Sequence, residues 1–97
     1  MLKPNIPQPG QIWRTMDDPR ILGLKEDMEF VYVRASSGKH LLCWLVRVED
    51  GRVTIIRKAE IIKAFLIDNY ELYASGTKLD KYDFYRADGT PASSADL

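Results

Sequence analysis

The side chains in this 97-residue sequence with the chemistry for acid–base, nucleophilic or metal work are few: one histidine, His40, one cysteine, Cys43, and two acidic runs, Asp17-Asp18 and Glu26-Asp27-Glu29. A metal site of the zinc type needs three or four converging His, Cys or carboxylate ligands, and no such spacing surrounds His40, which reads as a turn or surface histidine. Cys43 falls in a dense apolar run without a Cys-x-x-Cys partner and reads as a small core residue; the alternative is an exposed stripe of Leu41, Cys43 and Leu45 carrying an accessible thiol. The acidic runs fall in or beside a loop, where solvated charge is the common case; a carboxylate site would need Asp17 or Asp18 held in a cleft with Arg20 and shifted in pKa. Ser37-Gly38-Lys39 lacks the remainder of G-x-x-x-x-G-K-[ST] and its following helix, so it is a hairpin turn and not a phosphate loop. The expectation is a non-enzyme with no catalytic residues, no metal and no cofactor.

Charge offers a second kind of site. Fourteen Lys and Arg balance fourteen Asp and Glu, so no global field draws the chain to nucleic acid or anionic lipid. The distribution is uneven, however: between Arg34 and Lys63 seven basic residues meet three acidic ones, and from Ala64 onward three basic residues meet six acidic ones. Arg34, Arg47, Arg52, Arg57 and Lys58, with Tyr32 and Trp44 among them, have the composition of a stacking-plus-charge surface for single-stranded nucleic acid. Against this stands a plainer reading, core rings with a solvated basic rim, because Trp44 shares the face assigned to the core. A lone cysteine suits a reducing compartment, and the absence of a leader-like or membrane-length apolar run points to a soluble cytoplasmic chain with no membrane partner.

The elements that position these residues read as mostly β. Pro4, Pro7 and Pro9 set an extended N-terminal arm over residues 1–10, with a minimal PxxP at Pro4 and Pro7. Gln11 to Arg14 alternates as a first strand, and a long surface loop follows from Thr15 to Asp27. Met28–Ala35 and His40–Glu49 form a hairpin around Ser36 to Lys39. Asp50-Gly51, a pair that accepts positive φ at both positions, joins His40–Glu49 to Arg52–Lys58. That turn fixes a register: Glu49 opposes Arg52, Val48 opposes Val53, Val46 opposes Ile55, Leu45 opposes Ile56, and Trp44 opposes Arg57. Val46, Val48, Val53 and Ile55 then share a core face. The opposite face becomes apolar at Leu45 and Ile56, and a four-residue loop adds Phe30 and Tyr32 to it.

Something must cover that second face. Ile61, Ile62, Phe65 and Leu66 have helical spacing within residues 59–68, although the β-branched pair also fits a strand. Asn69 to Ala74 reads as a last core strand with Tyr70, Leu72 and Ala74 on one side. Thr77 with Asp80 opens a helical turn in an otherwise aperiodic stretch from Lys78 to Arg86, and residues 87–97 read as a disordered tail after a single domain over 11–86.

Pro9-Gly10-Gln11-Ile12-Trp13, followed by strands and then by Ile61, Phe65-Leu66 and Asn69-Tyr70-Glu71-Leu72, resembles the small SH3-like barrels common among uncharacterised bacterial and phage proteins. The resemblance covers about two thirds of the chain and implies an SH3-like small antiparallel β-barrel with one short helix before the last core strand. Gly10, Ile12 and Trp13 also resemble the opening of the toxin ribonucleases of the MazF and PemK type. Those place an Arg-Pro and a Gly-Ser-rich loop after the first strand; here Arg14 is followed by Thr15, Met16, Asp17, Asp18, Pro19 and Arg20, so no catalytic residue carries over.

The function expected is a non-catalytic binding or interaction module. Its candidate protein-binding patch is Phe30, Tyr32, Leu45 and Ile56, taking an unknown protein partner or a second copy of the chain. A nucleic-acid-binding barrel is the alternative, and a ribonuclease the remote one.

Overall fold

The computed structural model describes residues 6–97, so Pro4 and the first half of the expected arm lie outside the described residues, while Pro7 is buried. Six strands form one sheet in the order β5-β1-β2-β3-β4-β6. They are β1 (Ile12–Thr15), β2 (Phe30–Ser37), β3 (His40–Glu49), β4 (Arg52–Ile62), β5 (Tyr70–Ala74) and β6 (Asp83–Tyr85). The single α-helix, α1 (Lys63–Asn69), runs directly into β5. Neighbours are antiparallel except β4 and β6, and no pairing joins β5 to β6, so the sheet is open among the described residues.

The Asp-Gly turn forms as its chemistry requires, with φ of 45° at Asp50 and 79° at Gly51, and it sets Glu49 opposite Arg52 and Val46 opposite Ile55. Beyond that point the expected register is corrected. Leu45 opposes Arg57 and Trp44 opposes Lys58, because Ile56 is an extra residue in β4, a β-bulge. Two more bulges occur, Arg34 in β2 against β3 and Tyr73 in β5 against β1.

The Arg34 bulge overturns the expected patch. The β2–β3 turn is two residues, Gly38-Lys39, instead of four, a change that preserves which side chains share a face. The bulge adds a single residue, so Phe30 now opposes Val46 and Tyr32 opposes Trp44. Phe30 and Tyr32 therefore sit on the Val46 face, while Leu45 and Ile56 sit on the other, and the four do not form one surface. The Tyr73 bulge likewise moves Ala74 off the side of Tyr70 and Leu72.

Both faces of the sheet are core. On one, Trp13, Val31, Val33, Leu41, Cys43, Leu45 and Ile61 are covered by Leu66 of α1, by Tyr70, and by Leu24 and Met28 from the β1–β2 connection. On the other, Ile12, Tyr32, Val46, Val53 and Ile55 are covered by Leu79, Tyr82, Phe84, Ala92 and Leu97. Burying a large aliphatic or aromatic side chain in this way contributes on the order of 1.5–3 kcal/mol. The helix is shorter than expected: Ile61 and Ile62 extend β4, as their β-branching allows, and within α1 only Leu66 is buried. Phe65, expected on the helix's inward side, is 36% exposed.

The stretch 78–86, aperiodic in sequence, resolves into the end of a 3-10 turn (Gly76–Lys81) and β6, which adds parallel to β4 through Val53–Phe84. Residues 87–97, read from composition as a tail, fold back on this edge. Ala92 N–H donates to the Phe84 carbonyl at 2.9 Å, Arg86 pairs with Asp96 at 3.0 Å, and the Trp44 indole N–H donates to the Asp96 carbonyl at 2.8 Å.

The left-handed Gly51 has only the Lys81 carbonyl near where a Cβ would stand, at an unstrained 3.9 Å. Gly51→Ala is therefore expected to lose only the conformational term, about 1–2 kcal/mol of unfolding free energy by urea titration. A loss near zero would mean the turn is not held in this conformation.

Candidate interaction surfaces

β3 outruns β2: Phe30, the first residue of β2, opposes Val46, and β3 continues to Glu49. The unpaired flank of β3 faces the end of the β1–β2 connection, and a groove of about 680 Å³ lies between them. Phe30, Tyr73, Val46, Val48 and Ile56 supply its apolar lining, and Arg14, Glu26, Asp27, Glu29, Arg47 and Glu49 its charged walls. The Phe30 and Tyr73 rings meet edge to face at 5.1 Å, and the Arg14 guanidinium lies over Phe30 at 5.3 Å while pairing with Glu29 at 3.1 Å. Lys78 donates to the Tyr73 carbonyl at 2.9 Å with its ammonium 5.1 Å from the Tyr73 ring centroid.

Asp27 binds Arg57 through Oδ2 at 3.2 Å, and its other oxygen, Oδ1, is buried with no partner among the described residues. A carboxylate oxygen withdrawn from water without a donor is destabilising, and the Arg57 ion pair on Oδ2 offsets that cost.

The five basic candidates are not one stripe. Arg34, at its bulge, and Lys58, opposite Trp44, both lie over the Trp44 ring, at 4.6 and 5.7 Å from its centroid. Arg47 belongs to the groove, Arg57 is held by Asp27, and Arg52 stacks on Tyr85 at 5.0 Å beside the Asp-Gly turn. Of the protein-binding candidates, Phe30 and Ile56 meet again in the groove wall, whereas Leu45 is fully buried and Tyr32 nearly so. Arg14 and Tyr73 were missed. Their signal was only positional, since pairing of β1 with both β2 and β5 brings them beside Phe30.

The residues with catalytic chemistry lie apart. His40 Nδ1 faces Glu60 at 3.5 Å on an exposed edge. Asp18 accepts from the backbone N–H and guanidinium of Arg20, and those bonds hold its carboxyl below the usual carboxylate range, opposite to the shift of a general acid. Asp17 and Asp18 do line a second recess, of about 480 Å³, with Arg14, Glu29 and Glu71, but Arg20 is not among its walls. Among the described residues no three His, Cys, Asp or Glu side chains converge as metal ligands would.

Cys43 is core, 1% exposed, and burial pushes its thiol up to about 12 from 9.0. Tyr70 donates its hydroxyl to the Met28 carbonyl at 2.6 Å and is also pushed up to about 12, first by burial and then by Cys43 and Asp27. In the unfolded chain both groups ionise near their ordinary values of 9.0 and 10.0, while the folded state holds the protons longer. The stability they contribute is thus complete below about pH 9 and lost as pH rises toward about 12. Thermal midpoints are expected to fall across that window, and Tyr70→Phe to remove the portion beginning near pH 10. Identical pH slopes for Tyr70→Phe and the parent would contradict the buried phenol.

No helix among the described residues is long and apolar enough to cross a membrane. Compared with known proteins, the chain matches no family model, no curated protein and no solved structure.

Proposed function

We propose that this chain is a non-catalytic protein-interaction module whose ligand is a polypeptide segment seated in the groove beside Phe30. The observation that carries the reading is the Phe30–Tyr73 aromatic pair in a groove whose walls also hold the carboxylates of Glu26, Asp27 and Glu29. A peptide supplies both complements, side-chain cations for the carboxylates and apolar side chains for the rings. The unpaired flank of β3 at Arg47–Glu49 adds main-chain groups with which an extended segment can pair.

The order β5-β1-β2-β3-β4, with α1 immediately before β5, supports an SH3-like reading of the sheet, to which β6 is an addition. A thiol sealed in the core, a histidine turned to the surface and an Asp18 tied to Arg20 support the non-catalytic part. The ribonuclease reading finds nothing to add at Arg14 and Arg20, each already bound to a carboxylate. A reducing compartment such as the cytoplasm suits the single unpaired thiol.

The test is selection of a displayed peptide library on the immobilised protein, followed by NMR shift mapping of the winning peptide. Enriched peptides should pair an apolar residue with a nearby Lys or Arg and move the amides of Asp27, Phe30, Arg47 and Tyr73. Phe30→Ala, checked as folded by circular dichroism, should weaken them about tenfold or more. Unchanged affinity in folded Phe30→Ala, or shifts confined elsewhere, would remove the groove from consideration.

The Trp44 ring with Arg34 and Lys58 over it supports a second reading, a stacking site for single-stranded nucleic acid. Half-buried Trp44 is the reporter, since Trp13 is sealed in the core. An oligonucleotide of mixed sequence should quench its fluorescence at low salt and release it as salt rises; no quenching at low salt would dispose of that reading.

A further inference from the structure

We propose that the outer edge of β4 around Ala59 is a pairing surface for a second copy of this chain, the two β4 strands lying antiparallel about a two-fold axis at Ala59. The surface is separate from the groove, and neither reading depends on the other.

β4 is bonded to β3 along its whole length, but β6 covers its other edge only from Arg52 to Thr54. Which backbone groups the rest of that edge offers follows from one bond. The Lys63 N–H donates to the Lys39 carbonyl at 2.8 Å, so the intervening pair His40–Ile62 is of the non-hydrogen-bonded kind. Alternation then assigns the bonds to β3 to Ile61, Ala59 and Arg57, and turns the N–H and C=O of Lys58 and Glu60 outward. Among the described residues no backbone group outside the strand ladders bonds to either. Lys58, Glu60 and Ile62 are all exposed, Ile62 at 55%.

An open edge invites another strand, and a single lysine is a common guard against it. Here the guard has its complement two residues away. A two-fold pairing sets one residue opposite its own copy, and the choice of that residue decides the electrostatics. An axis at Lys58 or at Glu60 opposes like charges. An axis at Ala59 places Lys58 opposite Glu60 of the partner subunit and Glu60 opposite Lys58 of the partner subunit, with the small alanine on the axis. In that register the outward N–H and C=O groups of Lys58 and Glu60 also form the hydrogen-bonded pairs. The strand fits the space: the bulge at Ile56 and the start of α1 at Lys63 bound a ladder from Arg57 to Ile61, clear of β6. Leu42, 39% exposed and opposite Glu60, and Ile62, two residues on, give that face exposed apolar surface next to the new seam.

A short ladder makes a weak dimer, so the measurement is light scattering with size exclusion at concentrations reaching the millimolar range. The parent chain should dimerise. Lys58→Glu and Glu60→Lys should each raise the dimer dissociation constant about tenfold or more, because each reversal turns two attractive pairs repulsive. The double exchange Lys58→Glu with Glu60→Lys should restore it. Hydrogen exchange on the parent gives an independent reading, with the Lys58 and Glu60 amides protected at high concentration and open on dilution. A monomeric parent chain, a dimer indifferent to both reversals, or Lys58 and Glu60 amides that exchange alike at every concentration would overturn the proposal.

Discussion

Three strands each carry one residue more than a neighbour can match, and the rest of the molecule is arranged around those three extra residues. Arg34, Ile56 and Tyr73 each break a run of strict alternation, so the side chains after the break point to the other face. The sheet is apolar on both faces, and the two clusters, one around Leu41 and Leu45 and one around Ile12 and Val53, each require a cover. Chain lying outside the first five strands provides most of that covering: Leu24, Met28 and α1 on one face, and residues 79–97 on the other.

The bulges also place what is left exposed. Ile56 and Tyr73 both line the groove, and Arg34 rests on Trp44. The groove is open because β3 runs past the first residue of β2, and its walls carry both charge signs because Arg14, Arg47, Glu26, Asp27 and Glu29 all line it. Surface ion pairs such as Arg14–Glu29 contribute little to stability by themselves, at most about 1 kcal/mol, so their arrangement is better understood as shaping the site than as holding the fold.

What was legible in the sequence follows the same line. Chemistry confined to a few residues could be read: the Asp-Gly turn, the strand ends beside it, the Val46, Val48, Val53 and Ile55 face, the apolar second face needing a cover, and a short helix before the last core strand. Each depends on local φ preferences or on alternation over a few residues. Phe30 and Tyr32 were assigned to the wrong face because a bulge leaves no mark in composition: Arg34 looks like any exposed strand residue, and its effect is felt only through pairing with β3. β6 was missed because three residues, Asp83 to Tyr85, give alternation nothing to act on, and its pairing with β4 is a choice made in space. The groove belongs to the same category, since Arg14, Phe30, Arg47 and Tyr73 come from four different strands.

β1 holds only four residues and lies between β2 and β5, so its position is set by two partners, one of which follows in the chain only after β2, β3, β4 and α1. The β2–β3 and β3–β4 hairpins close over two-residue turns and require little loop entropy, whereas the seam between β1 and β5 closes over everything in between. By that measure the hairpins cost least to close and the β1–β5 seam costs most. Ile12 and Trp13 stand side by side in β1, one in each cluster, so this single short strand is common to both halves of the core.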